Sequence, residues 1–475
     1  MARICWASII VFACCTSRVS AEKPDVLFIA IDDLNDWTGC LGGHPQASTP
    51  HIDALAARGM LFTRAYCAAP ACNPSRAALM TGQAPWRSGV YVNPQPWRPA
   101  MKDAVTLPQH FMQHGYWAGG SGKIYHGAFP DPASWHEYYP SKKNQTPSGV
   151  RVQGTPFNGI PNTRHFDWGP IPDSSSAMSD YKVAQWVTKK LREPSAKPRF
   201  LACGIFRPHL PWYVPEKYFA AGPTRDEVQL PKTLKTDLND VPAGGLKMAK
   251  PQGDHKRVRN HDQWPGAVRA YLASIRFADE MVGQVLSALK ASGREDKTIV
   301  VLWTDHGWHL GEKQHWRKFA LWERATRVPL IVVVPPGLSD TLPAGVTAGA
   351  RCERPVSLLD VYPTLSDLCG LSQAEGPLDG HSLLPLLKDP EAEPERAVVT
   401  THGRNNHAVR SGRFRYIRYA DGGEELYDMT KDPHEWTNLA SQNEFRETIA
   451  RLKKHLPTIN AANARQTKRK NSTSR

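Results

Sequence analysis

The sequence predicts an α/β fold, with a large, mostly parallel sheet sandwiched by helices and a smaller C-terminal antiparallel sheet plus a helix. Two observations lead to this prediction. Continuous apolar runs alternate with segments of helical periodicity over most of the chain, which is typical of a parallel sheet covered on both faces. Beyond Pro394, short strand-like pieces follow one another between Ser-Gly and Asp-Gly-Gly turns. With 475 residues and 41% hydrophobic content, the chain can bury a large core in two packed units.

Five apolar runs are the expected strands of the large sheet. They lie at 26–31, 116–119, 200–206, 298–304 and 328–334. Acidic residues directly follow the first and fourth of these runs, and both runs have the composition of strands buried on two faces. The expected helices lie at 50–58, 106–114, 178–191, 267–289 and 357–369. Because ligands bind at the carboxyl ends of parallel strands, we expect a functional site at those ends.

The second sheet is expected near the C-terminus. Strand-like pieces at 398–402, 407–410, 413–419 and 425–427 precede a helical pattern at 444–455. The predicted organisation is a signal peptide at 1–21, a large α/β domain at 22–394, a small α+β subdomain at 395–465 and a basic, disordered tail at 466–475. Two segments rich in Pro, Gly and polar residues, 130–172 and 222–265, are expected to be long surface loops that shape a binding cleft.

The first residues have the pattern of an export signal. Arg3 precedes an apolar run at 4–15, and Val19-Ser20-Ala21 fits a cleavage site. The run is too short to span a bilayer. A second interpretation takes Val11-Phe12-Ala13-Cys14 as a loose lipobox, which would leave a lipid anchor on Cys14. The sequence thus predicts an exported protein, in a periplasm, outside the cell or in a lysosome-like compartment, with no transmembrane segment.

Most of the formal charge of +14 comes from the last 25 residues. Residues 451–475 hold eight lysines or arginines and no acidic residue. A solvated basic terminus is the first interpretation, and weak attachment to acidic glycans is the second. The rest of the chain contains no nucleic-acid-binding motif, so no nucleic-acid partner is predicted.

The cysteines argue against a complete disulfide framework. Three of the nine lie in the leader, and Cys72 is considered separately below. The remaining five are Cys40, Cys67, Cys203, Cys352 and Cys369. An odd number permits at most two bridges, and Cys352 with Cys369 is the pair to test. The absence of a CxxC pair argues against a zinc ribbon.

Acidic residues follow two of the predicted strands. Asp32 and Asp33 come after the first strand, and Asp305 with His306 comes after the run at 298–304. Three carboxylates suit calcium or magnesium, whereas a single aspartate here would more often cap a helix or form a turn. The histidine beside Asp305 offers a nitrogen donor, which is softer than a carboxylate oxygen.

The run Cys72-Asn73-Pro74-Ser75-Arg76 precedes a short helical pattern at 77–80. Pro74 is placed like the first residue of a helix, and the free amides of a helix start favour a negative charge. The alternative is a buried cysteine beside an ordinary helix start, with Arg76 bracing the turn.

Basic residues follow other predicted strands. Lys123 and His126 belong to Gly122-Lys123-Ile124-Tyr125-His126, and His209 belongs to Phe206-Arg207-Pro208-His209-Leu210-Pro211. Lys318 lies in the stretch 307–325 that continues from His306. Each residue alone would more often be a surface or loop residue, but together they supply cations and proton-transfer groups near the strand ends.

These motifs, in this order, resemble the type I sulfatases of the alkaline-phosphatase-like superfamily. In that family a maturation enzyme oxidises the cysteine of the C-x-P-S-R signature to formylglycine, whose hydrate attacks sulfur. The resemblance implies that Cys72 becomes formylglycine and binds calcium together with four further ligands, Asp32, Asp33, Asp305 and His306.

The resemblance also assigns roles to the remaining site residues. It implies that Lys123 and Lys318 bind sulfate and that Arg76 holds the hydrated nucleophile. His209 would protonate the departing alcohol, and His126 would deprotonate the hydroxyl that remains after transfer. Because Lys313 and Arg317 lie close to Lys318, this assignment depends on the register of the alignment.

Within the family, the iduronate-2-sulfatase branch is most similar. The Asp305-His306-Gly307-Trp308 run, the Lys-His spacing of 123–126 and Tyr271-Leu272-Ala273-Ser274 carry this similarity, whereas Gly127-Ala128 departs from the branch's usual Pro-Gly. The implied substrate is a sulfated glycan carrying a 2-O-sulfated uronic acid. Another sulfated polysaccharide or an aryl sulfate, a phosphonate or phosphate ester, and a noncatalytic glycan-binding role are the alternatives. Four aromatic residues are candidates either for sugar subsites or for core packing: Trp97, Trp135, Trp212 and Trp322.

Overall fold

The computed structural model describes residues 23–163, 165–338, 348–392 and 396–467. The predicted signal peptide, Cys14 and residues 468–475 lie outside these ranges. The strands are β1 Asp25–Ile31, β2 Met60–Phe62, β3 Ala65–Tyr66, β4 Trp117–Gly122, β5 Glu137–Tyr139, β6 Trp168–Ile171, β7 Arg199–Ile205, β8 Trp212–Pro215, β9 Thr298–Thr304, β10 His309–Leu310, β11 Trp316–Arg317, β12 Arg327–Val328, β13 Leu330–Val333, β14 Arg351–Cys352, β15 Val356–Ser357, β16 Val398–Thr401, β17 His407–Arg410, β18 Phe414–Arg418 and β19 Glu424–Asp428.

The helices alternate with the strands over most of the chain. They are α1 Pro50–Ala56, α2 Cys72–Thr81, α3 Pro85–Ser88, α4 Trp97–Ala100, α5 Leu107–Gln113, α6 Ser179–Arg192, α7 Glu216–Ala220, α8 Ala243–Ala249, α9 Asp254–Asn260, α10 Trp264–Ala291, α11 Glu323–Thr326, α12 Val361–Leu368, α13 Leu384–Lys388 and α14 Arg446–Lys453. Each predicted strand and helix of the large domain is present. The run 328–334 divides into β12 and β13 at Pro329, because proline cannot donate a ladder hydrogen bond.

Eight strands form the main sheet, in the order β14-β2-β13-β9-β1-β7-β4-β5. The central strand β1 pairs in parallel with both neighbours, which places Ile31 level with Thr304 of β9 and Ile205 of β7. Strand β4 continues the parallel part, and β13 is antiparallel to β9 and β2. The predicted large, mostly parallel sheet is confirmed.

The sheet separates two apolar cores. Successive side chains of β1 point to opposite faces, so Ile29 packs with residues of α1, α6 and α10, and Phe28 packs with residues of α2, α5 and α12. Strands buried on both faces have near-continuous apolar sequences, as β1 and β9 do.

The C-terminal part forms a four-stranded antiparallel sheet, β16-β17-β18-β19. Ile449 and Leu452 of α14 pack against Tyr416 and Leu426 of this sheet, as the predicted sheet plus helix requires. The other face packs on Trp322 and its neighbours in the large domain.

The suggestion that four tryptophans line sugar subsites is wrong, and the alternative of core packing is confirmed. Trp97, Trp135, Trp212 and Trp322 are each at most 2% exposed, so none can line a sugar subsite from the surface. The indole nitrogens of Trp97, Trp212 and Trp322 donate hydrogen bonds inside the core. For example, Trp97 Nε1 donates to the Phe129 carbonyl at 3.0 Å. These residues provide apolar area to the core.

The proposed pair of Cys352 and Cys369 is also wrong, because the six cysteines in the described ranges are free. Cys352 lies on the edge strand β14, where its thiol donates to the Pro390 carbonyl at 3.6 Å. Cys369 follows α12, and burial raises the pKa of its thiol to about 12.

Two local predictions need correction. Pro74 is the third residue of α2, because the helix begins at Cys72. The expected loop 222–265 contains the helices α8 and α9 and the start of α10, which its glycine and proline content concealed. Within the described residues, no helix is both long and apolar enough to cross a membrane.

Candidate active site

Two neighbouring strands deliver the predicted metal ligands to one edge of the sheet. Asp32 and Asp33 directly follow β1, and Asp305 and His306 directly follow β9. The parallel register brings the four side chains together, and one ligand atom of each, with the Cys72 sulfur, lies within 4.8 Å of all the others. All five residues are buried.

The backbone at Asp33 adopts a conformation that only surrounding contacts can hold. Its φ of 62° is in the left-handed region, which is unfavourable for an aspartate. The Asp33 amide donates to Asp305 Oδ1 at 3.1 Å, and the Tyr271 hydroxyl donates to the Asp33 carbonyl at 2.8 Å. Buried Oδ2 of Asp33 has no hydrogen-bond partner in the described structure, so it is available to a cation.

Cys72 is the first residue of α2 and is surrounded by potential donors. Its sulfur lies 2.9 Å from Lys318 Nζ, 3.4 Å from His306 Nε2 and 3.7 Å from Lys123 Nζ. Burial nevertheless raises the pKa of the Cys72 thiol to about 12, despite the two lysines. An unmodified thiol here stays protonated near neutral pH and is a weak nucleophile.

Arg76 links the two strand ends from one helical turn beyond Cys72. Its Nε donates to Asp305 Oδ2 and its Nη2 to Asp32 Oδ1, both at 2.9 Å, and Nη1 donates to the Ile124 carbonyl at 3.0 Å. Burial opposes the charged form, but Asp305 and Asp32 outweigh it and raise the pKa of Arg76. The guanidinium therefore fixes the carboxylates that are the candidate ligands.

Two lysines approach the cysteine from different elements. Lys123 follows β4 and forms an ion pair with Asp32. Lys318 follows β11, and its Nζ lies 2.7 Å from Asp33 Oδ1. The two competing residues lie elsewhere, since Lys313 pairs with Asp237 and Arg317 with Asp254. The structure therefore brings Lys318, and neither competitor, to the cluster.

Both predicted catalytic histidines are at the edge of the cluster. His209 Nε2 lies 3.8 Å from Asp33 Oδ2, and Nδ1 lies 2.7 Å from the Leu210 carbonyl. The buried Nδ1 of His126 has no hydrogen-bond partner among the described residues. Burial, reinforced by Lys123, lowers the pKa of His209 well below its usual value and that of His126 to about 3. Without ligand, both imidazoles are neutral.

Sequence reasoning did not identify several supporting residues. Tyr271, quoted above only for family similarity, holds the Asp33 backbone, and Phe206 stacks near Lys123 Nζ at 5.1 Å from the ring centre. Asn73 anchors the start of α2, donating from its amide to Asn93 Oδ1 at 3.0 Å and from its side chain to the Gln95 carbonyl at 2.6 Å. No local pattern distinguishes Asn93 or Gln95, because their importance arises from contacts made only in the folded chain.

The donor set fits a divalent cation. Three carboxylates, with one unpartnered oxygen, and one imidazole are the ligand types of a calcium or magnesium site with a softer fourth member. The three carboxylates face three cationic side chains, those of Arg76, Lys123 and Lys318. The cluster is therefore nearly neutral by itself and positive with a divalent ion, which favours an anionic substrate.

Candidate cation ligands, two lysines and two histidines at the ends of parallel strands form a site suited to the hydrolysis of an anionic ester. A family model described as sulfatase matches residues 24–371, and one described as N-sulphoglucosamine sulphohydrolase, C-terminal, matches residues 311–462. The first match spans more than half of the chain. The chain belongs to the sulfatase family, whose members hydrolyse sulfate esters.

Individual proteins support this assignment. A sulfatase of Formosa agariphila is 38% identical over 467 residues, covering 93% of this chain and 87% of that protein. Iduronate 2-sulfatase of Mus musculus is 29% identical over 400 residues, covering 74% and 70%. The crystal structure of a phosphonate monoester hydrolase of Agrobacterium radiobacter has a TM-score of 0.71 at 24% identity, covering 91% and 94%, which establishes a shared fold.

Proposed function

We propose that this sulfatase removes sulfate from a sulfated glycan, with a 2-O-sulfated uronic acid as the target residue, and that it uses formylglycine-72 and one calcium ion. The observation that carries the proposal is the position of Cys72, whose sulfur lies between Lys123 and Lys318 and beside the candidate ligands Asp33 and His306. A nucleophile in this position can reach a sulfate group held by both lysines.

The proposed cofactors match the residues present. Asp32, Asp33, Asp305 and His306 would hold the cation with residue 72. When bound, the cation would supply positive charge for an anionic group, and formylglycine would supply, as its hydrate, a hydroxyl nucleophile that no unmodified side chain provides. The high pKa of the Cys72 thiol supports modification, because an unmodified cysteine would attack poorly.

The remaining steps use side chains that are already in place. Lys123 and Lys318 neutralise the sulfate oxygens, and Arg76 keeps Asp32 and Asp305 in their ligating positions. Such preorganised charges stabilise the transition state without reorganisation during the reaction.

His209 is the proposed proton donor to the leaving alcohol. Its Nδ1 bonds to the Leu210 carbonyl, so Nε2 is the nitrogen that faces the site and holds the transferred proton. In the ligand-free site burial and the two lysines lower the pKa of His209. An anionic sulfate offsets the lysine charges and raises that pKa, which prepares the imidazole to donate.

His126 is the proposed base. Its pKa of about 3 keeps the ring neutral, and its unpartnered Nδ1 can accept a proton from the hydroxyl at residue 72. The proposed acid and base are thus two different residues. His209 lies in the loop after β7, and His126 lies in the loop after β4.

The substrate proposal rests on similarity to named relatives. Iduronate 2-sulfatase supports the uronic acid. The signal-peptide pattern at 1–21 supports export, and the signature from Cys72 to Arg76 supports a dependence on a maturation enzyme. The phosphonate monoester hydrolase shares the fold, so a phosphonate or phosphate ester is the competing substrate class. Turnover of 4-nitrophenyl sulfate against phenyl phosphonates, followed by desulfation of a panel of sulfated oligosaccharides, distinguishes these classes.

The test of the chemistry is the substitution Cys72→Ser. In an aerobic host without a serine-modifying maturase, we expect this variant to lose at least about 10⁴-fold in kcat while its circular dichroism stays native. Mass spectrometry of the wild-type peptide containing residue 72 should show the aldehyde. Full sulfatase activity in Cys72→Ser would refute the proposal.

Cys67→Ser is the matched control for Cys72→Ser. Cys67 is also buried and free, and its thiol faces the Ala325 carbonyl at 3.8 Å, to which a serine hydroxyl can donate. We expect this variant to retain activity. Its loss together with that of Cys72→Ser would indicate a general disturbance of the core.

A further inference from the structure

The chain's last described residues return to the active site. After the C-terminal sheet and α14, residues 461–467, called here the C-terminal segment, run along the loop 86–95. Backbone amides of Ala461, Ala464 and Thr467 donate to carbonyls of Trp86, Gly89 and Pro94, at 2.8, 2.9 and 3.0 Å. The regular spacing of these bonds shows that the segment follows the loop along its length.

Side chains reinforce this contact. The Tyr91 hydroxyl donates to the Ala461 carbonyl at 2.9 Å, and Gln95 Nε2 donates to the Ala464 carbonyl at 2.9 Å. Thr467 Oγ1 donates to the Pro94 carbonyl at 3.1 Å. Gly89 has a φ of 73°, and a Cβ there would lie 2.2 Å from the Ala462 carbonyl oxygen. The approach therefore requires glycine at position 89.

The loop contacted by the segment also supports the nucleophile. Asn93 and Gln95 accept the hydrogen bonds of Asn73, the residue after Cys72. The C-terminal segment thus lies one contact away from the start of α2. It is part of the structure around the catalytic cluster although it is remote in sequence.

A cavity of about 660 Å³ lies beside the segment and reaches His126. Its walls are Asn93, Pro94, His126, Ala128, Phe129, Gln466 and Thr467. The volume falls in the usual range of ligand sites, about 300–1,000 Å³. Since His126 belongs both to this wall and to the proposed reaction, a ligand in the cavity adjoins the reaction centre.

We propose that this cavity binds the pyranose unit next to the sulfated residue, with Gln466 and Thr467 as specificity-determining residues. The proposal rests on the proposed function, because it places the sulfate at Cys72. The side-chain amides of Asn93 and Gln466 can donate to the hydroxyl groups of a sugar. The Thr467 hydroxyl gives its proton to the Pro94 carbonyl and can accept from a sugar hydroxyl, and the half-buried Phe129 offers an apolar face to the ring. Among the described residues of the wall only His126 has an ionisable side chain, so a neutral sugar fits better than a second charged one.

The first experiment compares substrates of two sizes. For the double variant Gln466→Ala/Thr467→Ala, we expect the ratio of KM for a sulfated disaccharide to KM for 4-nitrophenyl sulfate to rise about fivefold or more, since each lost hydrogen bond costs about 1 kcal/mol. An unchanged ratio overturns the proposal. Failure of the wild-type protein to desulfate any sugar would instead refute the proposed function.

Binding is measured separately so that the subsite can be tested without turnover. In a Cys72→Ala background, calorimetry with the same disaccharide should give a Kd about fivefold or more higher when Gln466 and Thr467 are also replaced. An equal Kd in both proteins overturns the subsite, whatever the outcome of the turnover assay.

A matched pair of glycine variants tests the segment's position. Gly89→Ala forces the clash with Ala462 and should raise the KM ratio, as the double variant does. Gly293→Ala is the control, because Gly293 has a similar φ of 68° but nothing within 4 Å of an added Cβ. Both carry left-handed strain, so equal ratios in the two variants contradict the proposal.

Discussion

Two buried clusters, each with both acidic and basic side chains, differ in how fully a carboxylate is compensated by protein groups. The catalytic cluster comprises Asp32, Asp33, Cys72, Arg76, Lys123, Asp305, His306 and Lys318. The C-terminal cluster comprises Glu323, Arg410, Arg415 and Glu435, between the large domain and the C-terminal sheet. The side chains of both clusters are buried, except that of Glu323, which is 13% exposed. Charges in such places are tolerated only when they are paired or when they bind something else.

In the C-terminal cluster, protein groups provide the ion-pair and hydrogen-bond partners of Glu323. Glu323 pairs with Arg415 and accepts from the Tyr66 hydroxyl at 2.9 Å, and Arg415 Nε lies 3.0 Å from Glu435 Oε1. Burial opposes ionisation of Glu323, but Arg415 and Arg410 prevail and lower its pKa to about 2. The cluster is arranged to join two parts of the fold.

In the catalytic cluster one carboxylate remains incompletely compensated. Burial, together with Asp32 and Asp305, raises the pKa of Asp33 to about 7 despite Lys318, and Asp33 Oδ2 has no partner in the described structure. The comparison shows how a binding site differs from a structural ion pair. Two protein groups, Arg415 and Tyr66, complete the structural carboxylate Glu323, whereas Asp33 keeps one oxygen without a hydrogen bond from the described residues and available to a cation.

The largest expected effect comes from paired substitutions in the two clusters. Asp33→Asn should lower kcat at least about 10³-fold, through loss of a cation ligand and of the Lys318 anchor. Glu323→Gln should leave kcat of the folded protein unchanged but lower the free energy of unfolding by about 3–5 kcal/mol, because it breaks a buried ion pair. Urea denaturation with a chelator present and steady-state kinetics provide the two measurements.

The same experiment can contradict the comparison. With chelator, Asp33→Asn should change the free energy of unfolding by less than about 1 kcal/mol, because the fold already disfavours that charge. A loss equal to that of Glu323→Gln would mean that the catalytic cluster is as structurally complete as the C-terminal one.

A second prediction concerns proton supply within the catalytic cluster. His209→Ala should lower kcat on a sugar sulfate about 10²–10⁴-fold, the usual contribution of a general acid. The loss on 4-nitrophenyl sulfate should be much smaller, since nitrophenolate leaves without a proton. Equal losses on both substrates would assign His209 to binding rather than to proton donation.

The smallest effect is a change in the pH dependence of stability. Burial and Glu323 raise the pKa of Glu435 from 4.5 to about 7, despite Arg415 and Lys313. The folded protein then binds more protons than the unfolded chain between these values, so this group's contribution makes the free energy of unfolding fall as pH rises through that window. Glu435→Gln should reduce the loss between about pH 5 and about pH 8 by roughly 1–3 kcal/mol.

Urea denaturation of both proteins at the two pH values measures this difference. Identical pH dependence in wild type and Glu435→Gln would show that the pair with Arg415 compensates Glu435 fully. The C-terminal cluster would then be complete at every position, and the contrast with Asp33 would be stronger.

The sequence predicted the fold class and the acidic part of the site because those features are local. Asp32 and Asp305 each follow a continuous apolar strand, and parallel pairing alone brings them to one edge. The choice of Lys318 over Lys313 required the three-dimensional structure. It depends on the short hairpin of β10 and β11, whose pairing of Leu310 with Trp316 fixes where the next residues point.

Features that depend on distant contacts were missed. The bond from Thr467 to Pro94 joins residues 373 positions apart, and no periodicity or motif near either residue indicates it. The sequence could not decide whether Trp322 lies in a sugar subsite or in the core, because tryptophan suits both. In the structure its Nε1 donates to Glu425 Oε2 at 2.8 Å inside the core. The disulfide expectation failed because the distance between Cys352 and Cys369 in space cannot be read from their spacing in sequence.

The burial of Cys72 also limits when this residue can be modified. One of the groups that enclose its sulfur, the Lys318 ammonium, lies 246 residues later in the chain. At about 5–20 residues per second, synthesis of that interval takes on the order of 10 to 50 s. The complete enclosure of Cys72 can form only after Lys318 has been synthesised. The proposed oxidation needs the stretch from Cys72 to Arg76 before it is enclosed, so slower folding should raise the fraction of molecules that become active.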